Sequence, residues 1–217
     1  YVDIEGSGEG VTTVTGTYAG TIPKMVSLGS GRVEVRHLTL QASGATDMTG
    51  AHVDGAGVAL LLRDAALDVS GGANVIGVSA MTSGGVHVIN TFVSVQGSGA
   101  PGATGALSNG ASVMLWWSRM QVSTTGAGDA AGLVSVTGNV AANDLFLETS
   151  APGADAIAAS SLGGIISIDR SSIQGAIADG AGTLAIGGSR IDGAPSGTPV
   201  CVATYKATYV LADAGCS

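Results

Sequence analysis

A repeated pair of apolar doublets is the sequence feature that most constrains the fold. Each unit has an apolar-x-apolar pair, a short gap and a second such pair, as in Leu60-x-Leu62 followed by Leu67-x-Val69. The gap is four residues in most units, and two residues before Leu38-x-Leu40 and Leu145-x-Leu147. The second residue of the first pair recurs at nearly constant intervals along the sequence, and only the last interval is shorter. These residues are Val35, Leu62, Val88, Leu115, Ala142, Ile168 and Ile186.

Alternation within each pair indicates a short β-strand with one buried face. A period of about 27 residues without a helical stripe is typical of a solenoid in which each repeat forms one coil. Stacked coils place equivalent strands about 4.8 Å apart in parallel register, so the seven recurring residues should form one internal file. A β-sandwich also contains many short strands, but it does not require constant spacing. The sequence therefore predicts an all-β, single-stranded parallel β-helix of about seven to eight coils.

The composition narrows the classes of function. Only 11% of the residues are charged, 45% are hydrophobic and 36 are glycine, which suits stacked coils with tight corners and excludes a disordered chain. The net charge of -8 argues against a nucleic-acid partner, because phosphate binding requires a basic face. No apolar run reaches the roughly 18 residues of a membrane-spanning helix.

The repeat pattern divides the chain into a β-helix at residues 1–199 and a C-terminal cap at residues 200–217. Residues 1–31 are predicted to be irregular first coils, with short strand candidates between glycines. The ends of a β-helix present unpaired strand edges that are usually covered, and no amphipathic helix in this stretch could cover them. Because the sequence opens on Tyr1, we expect a processed product or a fragment, with a lid upstream or a contact of this end with another chain.

The two cysteines, Cys201 and Cys216, both lie in the predicted cap. A disulfide between them would close a loop of about 16 residues, stabilise the cap by about 3 kcal/mol and indicate an oxidising, extracytoplasmic compartment. A redox or metal-binding pair would need C-x-x-C spacing or nearby histidines, whereas His37, His52 and His87 lie far upstream. We therefore expect a disulfide, no metal site and no cofactor.

The two ends of the chain and one coil also carry a family resemblance. These stretches are Tyr1-Val2-Asp3-Ile4-Glu5-Gly6-Ser7-Gly8, Val33-Glu34-Val35-Arg36-His37-Leu38-Thr39-Leu40, and Ser189-Arg190-Ile191-Asp192-Gly193 with the segment from Cys201 to Cys216. Together with the repeat rhythm, they resemble exported bacterial β-helix proteins of the broad pectin-lyase-like, pectinesterase-like group. The resemblance implies a right-handed parallel β-helix, export from the cell, and often a cell-surface or polysaccharide-associated setting.

The catalytic motifs of enzymes in that group are missing from the sequence. The pectinesterase-like motif Asp-Phe-Ile-Phe-Gly has only a faint counterpart in Asp144-Leu145-Phe146-Leu147-Glu148, which lacks the glycine. The polygalacturonase-like blocks and the acidic calcium cluster of pectate lyases have no counterpart. We therefore name no catalytic residue.

Asp144 and Asp169 are the acidic residues that could act as a pair. If they occupy corresponding corners of neighbouring coils, their carboxylates would lie about 5 Å apart, which is the separation in a retaining glycosidase. Arg119 and Arg170 lie close by in sequence and could neutralise both acids. The alternative is an exposed corner held by salt bridges.

Trp116, Trp117, Arg119 and Phe92 form the candidate binding surface. The two tryptophans fill the gap between strand pairs, where alternation no longer determines side-chain direction, and at least one of them should point outward. Exposed aromatic rings offer flat faces for sugar rings or for a partner chain. The alternative is that one tryptophan packs in the core and the other covers a corner.

These features favour a non-catalytic, extracellular structural or adhesive module that self-assembles into fibres or contacts polysaccharide. The mean hydropathy of +0.43 and the few charges favour self-association, end to end through strand addition or side by side through an apolar face. Two alternatives remain: a carbohydrate-active enzyme, an esterase or lyase acting on an acidic polysaccharide, and a phage-tailspike-like trimer.

Overall fold

The computed structural model describes residues 2–18, 24–44 and 46–216. Tyr1, residues 19–23, Ala45 and Ser217 lie outside the described residues, and with them part of the predicted irregular first coils and the last residue of the predicted cap. The described part of the chain consists of strands and turns without a helix. It therefore has no helix long and apolar enough to cross a membrane.

The strands are short and follow one another closely along the described chain. They are β1 (Val2–Glu5), β2 (Thr13–Tyr18), β3 (Lys24–Leu28), β4 (Arg32–Arg36), β5 (Thr39–Gly44), β6 (Met48–Asp54), β7 (Ala59–Arg63), β8 (Ala66–Gly71), β9 (Asn74–Met81), β10 (Gly85–Ile89), β11 (Phe92–Gly97), β12 (Gly102–Trp116), β13 (Arg119–Thr124), β14 (Asp129–Asn143), β15 (Phe146–Ser150), β16 (Ala156–Ser161), β17 (Ile165–Asp169), β18 (Ser172–Gln174), β19 (Ala176–Asp179), β20 (Thr183–Gly187), β21 (Arg190–Asp192), β22 (Pro195–Ser196), β23 (Val200–Val202) and β24 (Tyr205–Lys206).

These strands stack into three faces around a shared interior. Face 1 contains β1, β4, β7, β10, the second halves of β12 and β14, β17, β20 and β23. Face 2 contains β2, β5, β8, β11, β13, β15, β18, β21 and β24. Face 3 contains β3, β6, β9, the first halves of β12 and β14, β16, β19 and β22, and it joins face 1 without a break in the two long strands. Every pairing between these strands is parallel, so the chain is a parallel β-solenoid, as predicted.

The predicted internal file is confirmed. On face 1 the inward-facing residues stand directly over one another in parallel register, in the order Val35, Leu62, Val88, Leu115, Ala142, Ile168 and Ile186. Each is no more than 2% exposed. Alternation therefore identified the buried face of these strands correctly, because the side chains of a strand point alternately to its two faces.

The solenoid has about six turns, slightly fewer than the predicted seven to eight coils. Register partners on face 1 advance by nearly equal steps along the series Val33, Leu60, Val86, Val113, Val140 and Ile166. The step from Val2 to Val33 is slightly longer, and the last two, from Ile166 to Leu184 and from Ala185 to Val200, are much shorter. The shortening reflects fewer residues per coil, while the parallel pairing continues as far as Lys206.

The corner between faces 1 and 2 repeats one backbone conformation from β4 onward. At each of these corners one residue takes a left-handed conformation with φ between 46° and 55°: His37, Asp64, Asn90, Trp117, Asp144, Arg170, Gly188 and Ala203. The side chain of the following residue points into the core. Leu38 and Leu145 occupy this inward corner position, and the pairs on face 2 are instead Leu40-x-Ala42 and Leu147-x-Thr149. The predicted two-residue gaps are therefore wrong, and all these coils share the same corner.

Buried hydroxyl groups occupy the same inward corner position in several other coils. Ser171 is one of them: its Oγ donates to the carbonyl oxygen of Asp169 at 2.7 Å and accepts from the backbone N–H of Leu145 at 3.1 Å. The backbone N–H of Ser171 in turn donates to Oγ of Ser189 in the next coil, at 3.0 Å. These bonds satisfy backbone groups that the tight corner leaves without a strand partner.

The two ends of the solenoid differ. At the N-terminal end, Ile4 and Val14 face the interior in register with Val35 and Leu40, yet they are 45% and 46% exposed. At the C-terminal end the chain turns back after β24 and covers the last coil. The Cys201–Cys216 disulfide, confirmed in the structure, ties this return segment to β23.

Candidate binding surface

Trp117 projects into solvent from the corner between faces 1 and 2. It occupies the left-handed position of its coil, with φ 49°, and it is 64% exposed. Its backbone N–H donates to the carbonyl oxygen of Asn143 in the next coil, at 3.1 Å. The stacking of the coils therefore sets the direction of the ring, although a bulky residue seldom adopts this conformation.

Trp116 lies on the outer surface of face 1. Its neighbour Leu115 points into the core, and Trp116 stands in register between Ile89 and Asn143. The ring is partly covered by His87, which meets it edge to face at a centroid distance of 6.2 Å. Partial burial, and secondarily the nearby Arg32, lower the pKa of His87. Neither tryptophan fills the core, so both indole rings lie on the outside.

Arg119 is stacked between two phenylalanine rings on the outer surface of face 2. Parallel register aligns it with Phe92 on one side and Phe146 on the other. Its guanidinium carbon lies 5.9 Å from the centroid of Phe92 and 5.0 Å from that of Phe146, which is cation–π geometry. The sequence analysis missed Phe146 as a surface residue, although it follows Arg119 by one full turn of the repeat.

Asp144 and Asp169 do not occupy equivalent positions. Asp169 is in register with Asn143, and Asp144 shares the left-handed corner position with Arg170. Arg170 contacts both acids: its Nε and Nη2 donate to Asp144 at 3.2 and 2.9 Å, and its Nη1 donates to Asp169 at 2.9 Å. The hydrogen bond from Arg170 holds the pKa of Asp144 below its ordinary value, and the pKa of Arg170 is raised in turn. Arg119, on face 2, is stacked between the two rings instead.

A shallow depression of ≈ 210 Å³ lies beside the exposed indole ring of Trp117. Its walls come from neighbouring coils at the same corner: Trp116, Trp117, Asn143, Asp144 and Arg170. One side of the depression is aromatic, and the other carries an amide and an arginine–carboxylate pair. Such a surface can stack a flat ring and hydrogen-bond the groups at its edge.

A second depression, of ≈ 340 Å³, lies on face 2 towards the N-terminal coils. The side chains that line it from the outer surface are polar, and they belong to neighbouring strands: Gln41, Ser43, Asp68, Ser70, Ser94 and Gln96. The sequence analysis did not identify this depression. Its signal is the alternation of these polar residues with buried apolar ones, which repeats at each turn of face 2.

Within residues 2–18, 24–44 and 46–216, no group of three or more histidine, cysteine, aspartate or glutamate residues could hold a metal ion. Comparison with known proteins gives no match to a family model, to a curated protein or to a solved structure.

Proposed function

We propose that this chain is a non-catalytic, exported structural or adhesive module that contacts glycans at the corner between faces 1 and 2. The observation that carries the proposal is the exposed indole ring of Trp117, which comes two residues before Arg119 and its stack between Phe92 and Phe146. Aromatic faces held on stacked strands offer preorganised platforms for sugar rings, because no loop has to be ordered on binding.

The electrostatics of the corner support binding rather than catalysis. A glycosidase needs one carboxyl group whose pKa is raised, so that it can donate a proton. Here Arg170 binds both Asp144 and Asp169, and it lowers the pKa of Asp144. The Cys201–Cys216 disulfide supports an oxidising compartment outside the cytoplasm.

Binding to a panel of immobilised oligosaccharides and polysaccharides tests the proposal. The Trp117→Ala variant is expected to bind the recognised glycan about fivefold more weakly, since a lost aromatic contact is worth about 1 kcal/mol. Tyr209→Ala is the matched control, because Tyr209 is 74% exposed but lies in the C-terminal return segment. Equal binding by Trp117→Ala and wild type, or binding to no glycan, would reject the proposal.

A second candidate function is self-association through the N-terminal end. Ile4 and Val14 occupy interior positions of the first described coil, and both are nearly half exposed. A second copy placed over this end would cover them, as the neighbouring coils cover Val35 and Leu40. Light scattering and negative-stain microscopy over a range of concentrations test this. Assembly that is unchanged in Ile4→Lys, or no assembly by wild type, would exclude it.

A further inference from the structure

The outer surface of face 2 carries an uninterrupted file of polar side chains along the solenoid axis. One residue comes from each of seven successive strands: Gln41, Asp68, Ser94, Gln121, Glu148, Gln174 and Asp192. We call this the polar file. The residues on either side of the first five members are buried, and Gln174 and Asp192 each follow a buried isoleucine, so strand alternation holds the file on the outside.

Several polar groups around the ≈ 340 Å³ depression are free to bind a ligand. In the described part of the chain, the side chains of Gln41, Asp68 and Gln96 make no hydrogen bond to other protein groups. Farther along the file, Nε2 of Gln121 instead donates to Glu148 at 3.0 Å. The free amides and carboxylate converge on one hollow, where they can donate to and accept from the hydroxyl groups of a ligand.

The charge of the polar file determines the class of ligand. The file contains three carboxylates, at Asp68, Glu148 and Asp192, and no lysine or arginine. The chain as a whole carries a net charge of -8. In the neighbouring file, Arg119 is stacked between two phenylalanine rings and Arg190 lies over the ring of Tyr209. A polyanion would therefore be repelled along this surface, whereas an uncharged, hydroxyl-rich ligand would not.

The spacing of the polar file favours a polymer. Successive members are separated by the distance between paired strands, about 4.8 Å. Each sugar unit of an extended polysaccharide advances the chain by roughly the length of one sugar ring. That length is comparable to the spacing between paired strands. We infer that face 2 binds an uncharged, extended polysaccharide chain that runs parallel to the solenoid axis. This inference rests on the proposed glycan-contacting function and specifies the class of glycan.

Affinity electrophoresis in native gels tests the inference. The gels contain hydroxyethylcellulose or arabinoxylan as uncharged polymers, or polygalacturonate as the acidic one. Wild type is expected to be retarded by an uncharged polymer at both low and high salt, and to pass polygalacturonate freely. The double variant Gln41→Ala/Gln96→Ala should bind about tenfold more weakly, because it loses two hydrogen-bonding side chains. Asn139→Ala, an exposed amide on face 1, is the matched control and should bind like wild type.

The other outcomes separate this inference from the function on which it rests. Retardation by polygalacturonate alone, lost at high salt, would overturn the uncharged class and leave glycan contact standing. Retardation by an uncharged polymer that the double variant retains would move the site away from the ≈ 340 Å³ depression and overturn the inference. No retardation by any polymer would overturn both proposals. Self-association that the double variant loses would make face 2 a contact between copies, and would also overturn the inference.

Discussion

Arg170 reaches across one coil and holds Asp144 with two hydrogen bonds, Nε to Oδ1 at 3.2 Å and Nη2 to Oδ2 at 2.9 Å. Both residues occupy the left-handed corner position of their coils. The parallel stacking of adjacent corners therefore brings opposite charges together in a bidentate pair. The same arginine also binds Asp169, so a single cation engages both acids of the predicted pair.

Replacing Arg170 should change the titration of Asp144. The pKa of this carboxyl is lowered by the Arg170 hydrogen bond, so the pair stabilises the fold above the carboxyl's ordinary pKa of about 3.9 and loses that effect as pH falls through the lowered value. In Arg170→Ala the Asp144 pKa should rise, as measured by NMR of the carboxyl carbon. An unchanged Asp144 titration would show that the hydrogen bonds do not form in solution.

Gly77 should not tolerate a side chain. A Cβ atom there would lie 2.6 Å from the carbonyl oxygen of Gly105 and 2.7 Å from Cγ2 of Val95, inside the packed core. Gly77→Ala should lower the free energy of unfolding by about 1–3 kcal/mol or more, because the backbone of the next coil would have to move. The measurement is urea denaturation. Gly85→Ala is the control, since its nearest contact would be Oγ of Ser112 at 3.4 Å, and equal losses in both variants would contradict the packing argument.

The buried hydroxyl of Ser171 should contribute measurably to stability. In Ser171→Ala the backbone N–H of Leu145 loses its partner inside the core, which should cost about 1–3 kcal/mol in thermal or chemical unfolding. Ser172→Ala, one residue further on, removes a hydroxyl from the outer surface of face 2 and is the matched control. If the two variants are equally stable, the corner does not depend on this hydroxyl group.

Reduction of the Cys201–Cys216 disulfide should loosen the C-terminal return segment. The bond spans a sequence separation of 15, and a loop of this size corresponds to about 3 kcal/mol of stabilisation. Hydrogen exchange in Cys201→Ser/Cys216→Ser is expected to quicken first in residues 207–216, while the earlier coils stay protected. Uniform loss of protection throughout the solenoid would show that the cap and the coils unfold together.

The amino-acid sequence by itself determined the solenoid and its interior file. Alternation places Leu62, Val88 and Leu115 on the buried side of their strands, and the constant step stacks them, because parallel pairing requires equivalent residues to meet at each turn. The disulfide could also be predicted from the sequence, since the chain has only two cysteines.

The tertiary structure alone decided what happens at the corners and on the outer faces. Alternation ends at a corner, so the doublet pattern could not show that Leu38 and Leu145 are inward corner residues or that Trp117 points into solvent. Only the stacking of the coils shows that Trp117, Asp144 and Arg170 occupy equivalent corner positions, each with a left-handed backbone conformation. The aromatic stack on Arg119 and the polar file likewise exist only because the corners bring successive strands into register, about 4.8 Å apart.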